Sequence, residues 1–209
     1  MKKNESIYAH LLLLIIVLAV FIWSAIKPAS YLTWAMEVLP AVVGVVIAII
    51  VYNRFRLTNI SYLIISSLAV LMFVGGHYTY SKVPLFNWIK DALELDRNHY
   101  DRFGHLTKGL FAIVIREILI RKTRLARDSW LFIIALSISL AIAALYEIIE
   151  WLTSKIMHGG KAAKDFLGTQ GDIWDTQWDM SLMLIGSLLA LLLLAKIHDR
   201  QLGIRRTES

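Results

Sequence analysis

The sequence predicts an all-α membrane protein, a polytopic bundle of about six transmembrane helices. Three observations predict it. The chain has 209 residues and is 57% hydrophobic, above the roughly 45–50% of a soluble domain. The apolar residues come in blocks near the ~20 residues that a bilayer demands. The basic residues in the short connections between those blocks gather on one side, as the positive-inside rule expects.

The first span is expected at about 7–26. An uncharged run, 6–26, follows Lys2 and Lys3. It exceeds the ~7–15 apolar residues of a secretory signal, and no small-x-small cleavage site follows, so it reads as a retained span. The second is expected at about 36–53, with Pro40 in its first turn, where proline is tolerated. The third falls at about 60–79, the fifth at about 130–152 and the sixth at about 178–196. The fourth, about 101–120, carries Lys108, Arg116 and Glu117. A helix this polar must sit inside the bundle or lie at the interface. Charge favours the crossing. Six spans put Arg54, Arg56, Arg121, Lys122, Arg124, Arg127, Lys196, Arg200, Arg205 and Arg206 on the side of Lys2 and Lys3. Both termini are then cytoplasmic. The chain reads as one integral membrane domain.

This topology leaves two long outward segments, about 80–101 and about 153–178. Long connections are where binding and chemistry usually reside. Net charge is +6, which here reports topology and contact with anionic lipids. No aromatic–basic patch points to nucleic acid. Cysteine is absent, which excludes disulfides, thiolate nucleophiles and cysteine-ligated metals. Serine-hydrolase, P-loop, zincin and dinucleotide motifs are missing as well.

Polar groups collect at the outward ends of spans three to six. Asp101 and His105 are four apart, on one helical face, and can share a cation or form an acid–base pair. Glu147 and Glu150 share a face near the end of the fifth span. Two such carboxylates need a metal, Arg102, Lys108 or a proton between them. Asp172, Asp175 and Asp179 fall at i, i+3 and i+7, one face if the helix includes all three. Each group has a plain structural reading: a fixed histidine tautomer, a salt-bridged pair, helix capping. Taken together they predict an outward-facing polar site. Asp101, His105, Glu147 and Glu150 are the acid–base candidates. His105, Glu150, Asp172, Asp175 and Asp179 are the candidate ligands of a divalent metal: Mg, Mn or Ca in an oxygen-rich site, Zn if His105 or His77 joins. Trp88, Trp151, Trp174, Trp178 and Tyr100 read as interfacial belt residues. Gly104, Gly168 and Gly171 read as turns or points of close backbone approach. Lys155, Lys161 and Lys164 read as a solvated loop. The first two spans show almost no polar chemistry.

The blocks Gly75-Gly-His-Tyr78, Arg97-Asn-His-Tyr-Asp-Arg-Phe-Gly-His105, Ala144-Leu-Tyr-Glu-Ile-Ile-Glu-Trp151 and Gly168-Thr-Gln-Gly-Asp-Ile-Trp-Asp-Thr-Gln-Trp-Asp179 resemble the YjdF-type family of bacterial inner-membrane proteins. That resemblance implies a multi-pass inner-membrane protein and supplies no activity. Asp101-Arg-Phe-Gly-His-Leu106, Glu147 or Glu150, and Asp175 or Asp179 with Gly186 are also similar to the VanZ-like pattern, with Arg102 where that pattern has Lys. Two functions stay open. One is a metal-dependent enzyme acting on a lipid or lipid-linked headgroup. The other is a small transporter, ion-binding or envelope accessory protein. Membrane lipids are the expected partners, and oligomeric state is undetermined.

Overall fold

The computed structural model describes residues 2–156 and 166–203, with the side chains of 2–5 outside the description. Lys161 and Lys164 lie outside the described residues. The described elements are all helical: α1 (Lys2–Ser24), α2 (Tyr31–Val51), α3 (Asn59–Tyr78), α4 (Pro84–Ala92), α5 (Tyr100–Lys108), α6 (Ala112–Lys122), α7 (Ser129–Ile156) and α8 (Asp175–Gln201), with 3₁₀ turns at Tyr80–Lys82 and Gly109–Phe111. Among the described residues, five helices (α1, α2, α3, α7 and α8) are long and apolar enough to cross a membrane.

The expected fourth span is the composite α5–3₁₀–α6, helical throughout from Tyr100 to Lys122. It is not one uninterrupted apolar helix: the 3₁₀ turn at Gly109–Phe111 divides it, and it carries Lys108, Arg116 and Glu117. At one end Arg97, just before it, meets Asp175 at the start of α8. At the other, Arg116 meets Asp199 near the end of α8. The composite and α8 therefore run parallel over nearly the full length of α8. Residues 112–117 are all buried, so its polar groups meet protein and not lipid, as a membrane-depth charge requires.

Glycine lets these two helices touch. A Cβ on Gly186 would overlap the Leu106 carbonyl oxygen, and one on Gly109 would strike the backbone of Gly186 and Ser187. Ser139 of α7 and Ser187 of α8 share a hydrogen bond of 2.6 Å beside this contact. Small residues at a helix crossing are the usual device where lipid removes the hydrophobic drive for association.

α3 is the other inner helix. Half of its apolar window is buried, against 11% for α1. It packs between α1 and α2, around Val17, Val38, Ala69, Met72 and Phe73. Gly76 admits Val38 and Gly75 admits the Tyr80 ring, to which a Cβ would approach within 2.6 Å. Local caps set the starts. Ser30 accepts from the Thr33 amide at α2, Thr58 from the Ser61 amide at α3, and Asp128 from the Trp130 amide at α7. α2 begins earlier than expected, so Pro40 lies well inside it and not in its first turn. The missing N–H leaves a helix bond unmade, which membrane helices tolerate where neighbours re-satisfy the backbone.

The start of α1 and the end of α8 lie at the same end of the bundle. His10 of α1 bonds Tyr52 and Asn59, and Gln201 of α8 accepts from the Ile60 amide. A buried hub fixes this end. The Glu117 carboxylate accepts from the Thr58 amide (3.0 and 3.1 Å), the Thr58 and Ser61 hydroxyls (2.8 and 2.6 Å) and Arg121 (2.7 Å). His198 lies 3.4 Å from it and takes 2.8 Å from Arg116.

Candidate functional site

The site forms at the opposite end, where α5, α7 and α8 converge under the segment before α8. That segment is held by reciprocal bonds. Gln170 accepts from the Asn98 amide (2.9 Å) and donates to the Asn98 carbonyl (2.8 Å). Asn98 in turn accepts from the Tyr100 amide at the start of α5. Gly168, at φ +62°, brings its backbone against the Asp101 carboxylate, which a Cβ there would approach to 3.0 Å. This is the close approach expected of Gly168.

Two layers of charge follow. In the outer layer, Arg97 grips Asp175 at 2.5 Å, donates to the Gly168 carbonyl at 3.2 Å and lies 3.7 Å from Asp172. Arg102 pairs with Asp172, sits 3.9 Å from Asp175 and stacks on Trp178. Asp172 is not on α8, and the expected three-aspartate face does not form. Asp172 precedes the helix and accepts from the Trp174 amide in a local turn, so it caps where a helical register would have carried it past. That amide, then the Arg102 and Arg97 guanidiniums, hold its carboxyl below the ordinary range.

The inner layer is buried. His105 Nε2 lies 3.6 Å from Asp101, 3.8 Å from Glu147 and 3.2 Å from the Lys108 ammonium. Asp101, His105 and Asp179 each offer a ligand atom, and these atoms lie within 4.8 Å of one another. Ions that bind at about 2.0–2.6 Å hold ligands at most about 5 Å apart, so the spacing fits one divalent cation. His105 Nδ1, Glu147 Oε1 and Asp179 Oδ1 are buried with no hydrogen-bond partner among the described residues. Orphaned polar atoms at this depth are costly, and their clustering points to something that binds them.

The candidates thus separate. Asp101, His105, Glu147 and Asp179 gather. Glu150 is half-buried one turn along α7, within electrostatic range of Asp101, Glu147 and Asp179. Asp172 and Asp175 serve Arg102 and Arg97. His77 does not join. It bonds the Ser24 carbonyl and stacks on Trp23, because its face of α3 packs on α1. Trp88, Trp151, Trp174 and Trp178 are exposed, as belt residues are. Tyr100 is not one of them, being buried with its hydroxyl on the Leu71 carbonyl.

Some of the site escapes periodicity. Glu37 of α2 is buried, close enough to Tyr80, Tyr100 and Tyr146 for its charge to act on them. The expectation that the first two spans carry almost no polar chemistry is corrected by this residue. A lone acid in an apolar span was the available signal. Lys108, over the Tyr146 ring at 4.5 Å and the Tyr80 ring at 5.6 Å, is the other.

A polytopic α-helical membrane protein with a buried acid–histidine cluster near one membrane face is the class this defines. The chain belongs to the family described as predicted membrane protein DUF2238, whose model matches residues 9–200. It is similar to inner membrane protein YjdF of Escherichia coli (strain K12), 42% identical over 184 residues, which cover 88% of this chain and 87% of that protein. No solved structure matches it.

Proposed function

We propose that the protein is an inner-membrane enzyme that uses a divalent cation to cleave a phosphoester in a lipid or lipid-linked headgroup on the outward side. The carrying observation is the ligand triangle of Asp101, His105 and Asp179, in which Asp179 Oδ1 is buried with no hydrogen-bond partner among the described residues. Charge supports it. Arg97 and Arg102 are engaged by Asp172 and Asp175, so among the described residues Asp101, Glu147, Glu150 and Asp179 face Lys108 as their near cation. The remaining negative charge calls for a bound cation or for protons.

A bound divalent ion would supply a water acidified enough to act as nucleophile near neutral pH. Glu147, 3.8 Å from His105, would take a proton from the attacking water and return it to the departing lipid alcohol as the phosphorus–oxygen bond to that alcohol breaks. Glu150, half-buried one turn further along α7, adds negative charge near Glu147. The reading takes the end where α1 begins and α8 finishes as cytoplasmic, which the positive-inside rule favours because Arg54, Arg56, Arg121, Lys122, Arg124, Arg127 and Lys196 flank it.

Transport is the weaker reading. Between the site and the Glu117 hub lie the buried apolar residues 112–115 with Leu68 and Ala190, and the Glu117 carboxylate is occupied by its partners. The test is elemental analysis of detergent-purified protein after exposure to Mg²⁺, Mn²⁺, Ca²⁺ and Zn²⁺, with phosphate or alcohol release from lipid phosphoesters as the second readout. Bound metal lost in Asp179→Asn supports the reading. Protein that takes up none of the four ions removes the mechanism.

A further inference from the structure

We propose that the cavity between α2 and α7 is a lateral binding site for one acyl chain of a bilayer glycerophospholipid, whose phosphodiester rests on Lys108. The cavity, about 200 Å³, is floored by α3 and has His105 and Lys108 in its wall. It opens sideways: Pro40, Gly44 and Ile142 on its lining are exposed, and that surface of the bundle faces lipid. Its long axis follows the helices. Gly44, Ile65 and Phe111 lie at the deep end, and Pro40, Met72 and Tyr146 at the end nearer the cluster.

The lining is apolar apart from His105, Lys108 and the Tyr146 hydroxyl, so an occupant must be a hydrocarbon with its polar group at one end. A bilayer lipid meets that description and is present at the opening. The Lys108 ammonium complements a phosphodiester in charge and is partly exposed towards the cavity. His105 Nδ1, buried and without a hydrogen-bond partner among the described residues, lies in the same wall. The inference deepens the proposed reading by naming the substrate class, yet chain binding requires neither metal nor catalysis.

Gly44 supplies the test, because a Cβ there would meet nothing within 4 Å. The intact protein in nanodiscs is cross-linked with phosphatidylglycerol carrying a diazirine midway along one acyl chain, and the labelled peptides are mapped. Labelling is expected on the stretches of α2, α3 and α7 that line the cavity. Gly44→Phe should reduce it about tenfold, the effect of excluding about two methylenes, while Gly44→Ala leaves it unchanged. Lys108→Met should weaken labelling by phosphatidylglycerol. Unlabelled phosphatidylglycerol must displace the probe from the unaltered protein, which keeps the test decisive if Gly44→Phe does not fold. Labelling that persists in folded Gly44→Phe, or that spreads evenly over the outer faces of α1 and α7, overturns the inference. So does displacement by undecaprenyl phosphate at lower concentration than by phosphatidylglycerol, which would assign a prenyl chain instead. Asp179→Asn separates the two proposals: it should abolish metal uptake and leave this labelling intact.

Discussion

At His105 one nitrogen, Nε2, is approached by Lys108, Asp101 and Glu147. An ammonium only donates, so Nε2 accepts from Lys108 and a neutral ring carries its proton on Nδ1. The same lone pair is the one a metal near Asp101 and Asp179 would use. Lys108 and the ion therefore compete for it. Lys108→Met should tighten divalent binding, read as a lower Kd in a Mn²⁺ titration; a weaker Kd would show that Lys108 organises the ligands and does not mask them. The Arg102–Asp172 pair predicts a pH dependence. The folded-state carboxyl of Asp172 titrates below the ordinary value of 3.8. Its contribution is thus fully present above that value and is lost as pH falls through the lowered one. Asp172→Asn should melt below the wild type at about pH 7, and the two should converge as the pH falls through the lowered value of the Asp172 carboxyl. A gap that persists in acid would mean that Asp172 acts through shape alone.

Among the helices, α5–3₁₀–α6 and α8 form the frame on which the site hangs, and their contact is backbone on backbone. Gly186→Ala should separate them and destabilise the fold by about 1–3 kcal/mol, the usual range for overpacking. A thermal melt unchanged by that substitution would contradict the close crossing. Glu117 fixes the other end. Glu117→Ala strands Arg121 and His198 and should cost about 3–5 kcal/mol, as breaking a buried ion pair does. Glu117→Gln, which keeps an acceptor for Thr58 and Ser61, should cost less. The polar fourth helix was legible from Lys108, Arg116 and Glu117, because charges that deep must face protein. The start of α8 was not. The spacing of Asp172, Asp175 and Asp179 is that of a helical face, but a side chain that bonds an amide two residues on stops the helix from extending back to it. Which of several acids pairs with an arginine also has no periodic signature, and Arg97 had to be found in space.

Across the bundle, polar chemistry is divided between two ends. At the end where α1 begins, Glu117 is held by the Thr58 amide and hydroxyl, the Ser61 hydroxyl and Arg121. The other keeps atoms on His105, Glu147 and Asp179 that have no hydrogen-bond partner among the described residues. The convergence of α5, α7 and α8 was legible because their polar groups all fall at the same ends of their spans. Glu37 and His77 were not, since their destinations depend on which face of α2 and α3 meets which neighbour. The proposed orientation, with the Glu117 end cytoplasmic, predicts that a cysteine placed at Gln170 reacts with a membrane-impermeant maleimide in intact cells and that one placed at Arg127 does not. The central claim is that the inner cluster holds one divalent cation. Electron paramagnetic resonance of Mn²⁺ titrated into the detergent-purified protein tests it directly. The account predicts loss of the free six-line signal at one ion per chain, abolished in both Asp101→Asn and Asp179→Asn. A free Mn²⁺ signal that rises from the first addition, in folded wild-type protein at neutral pH, would contradict it.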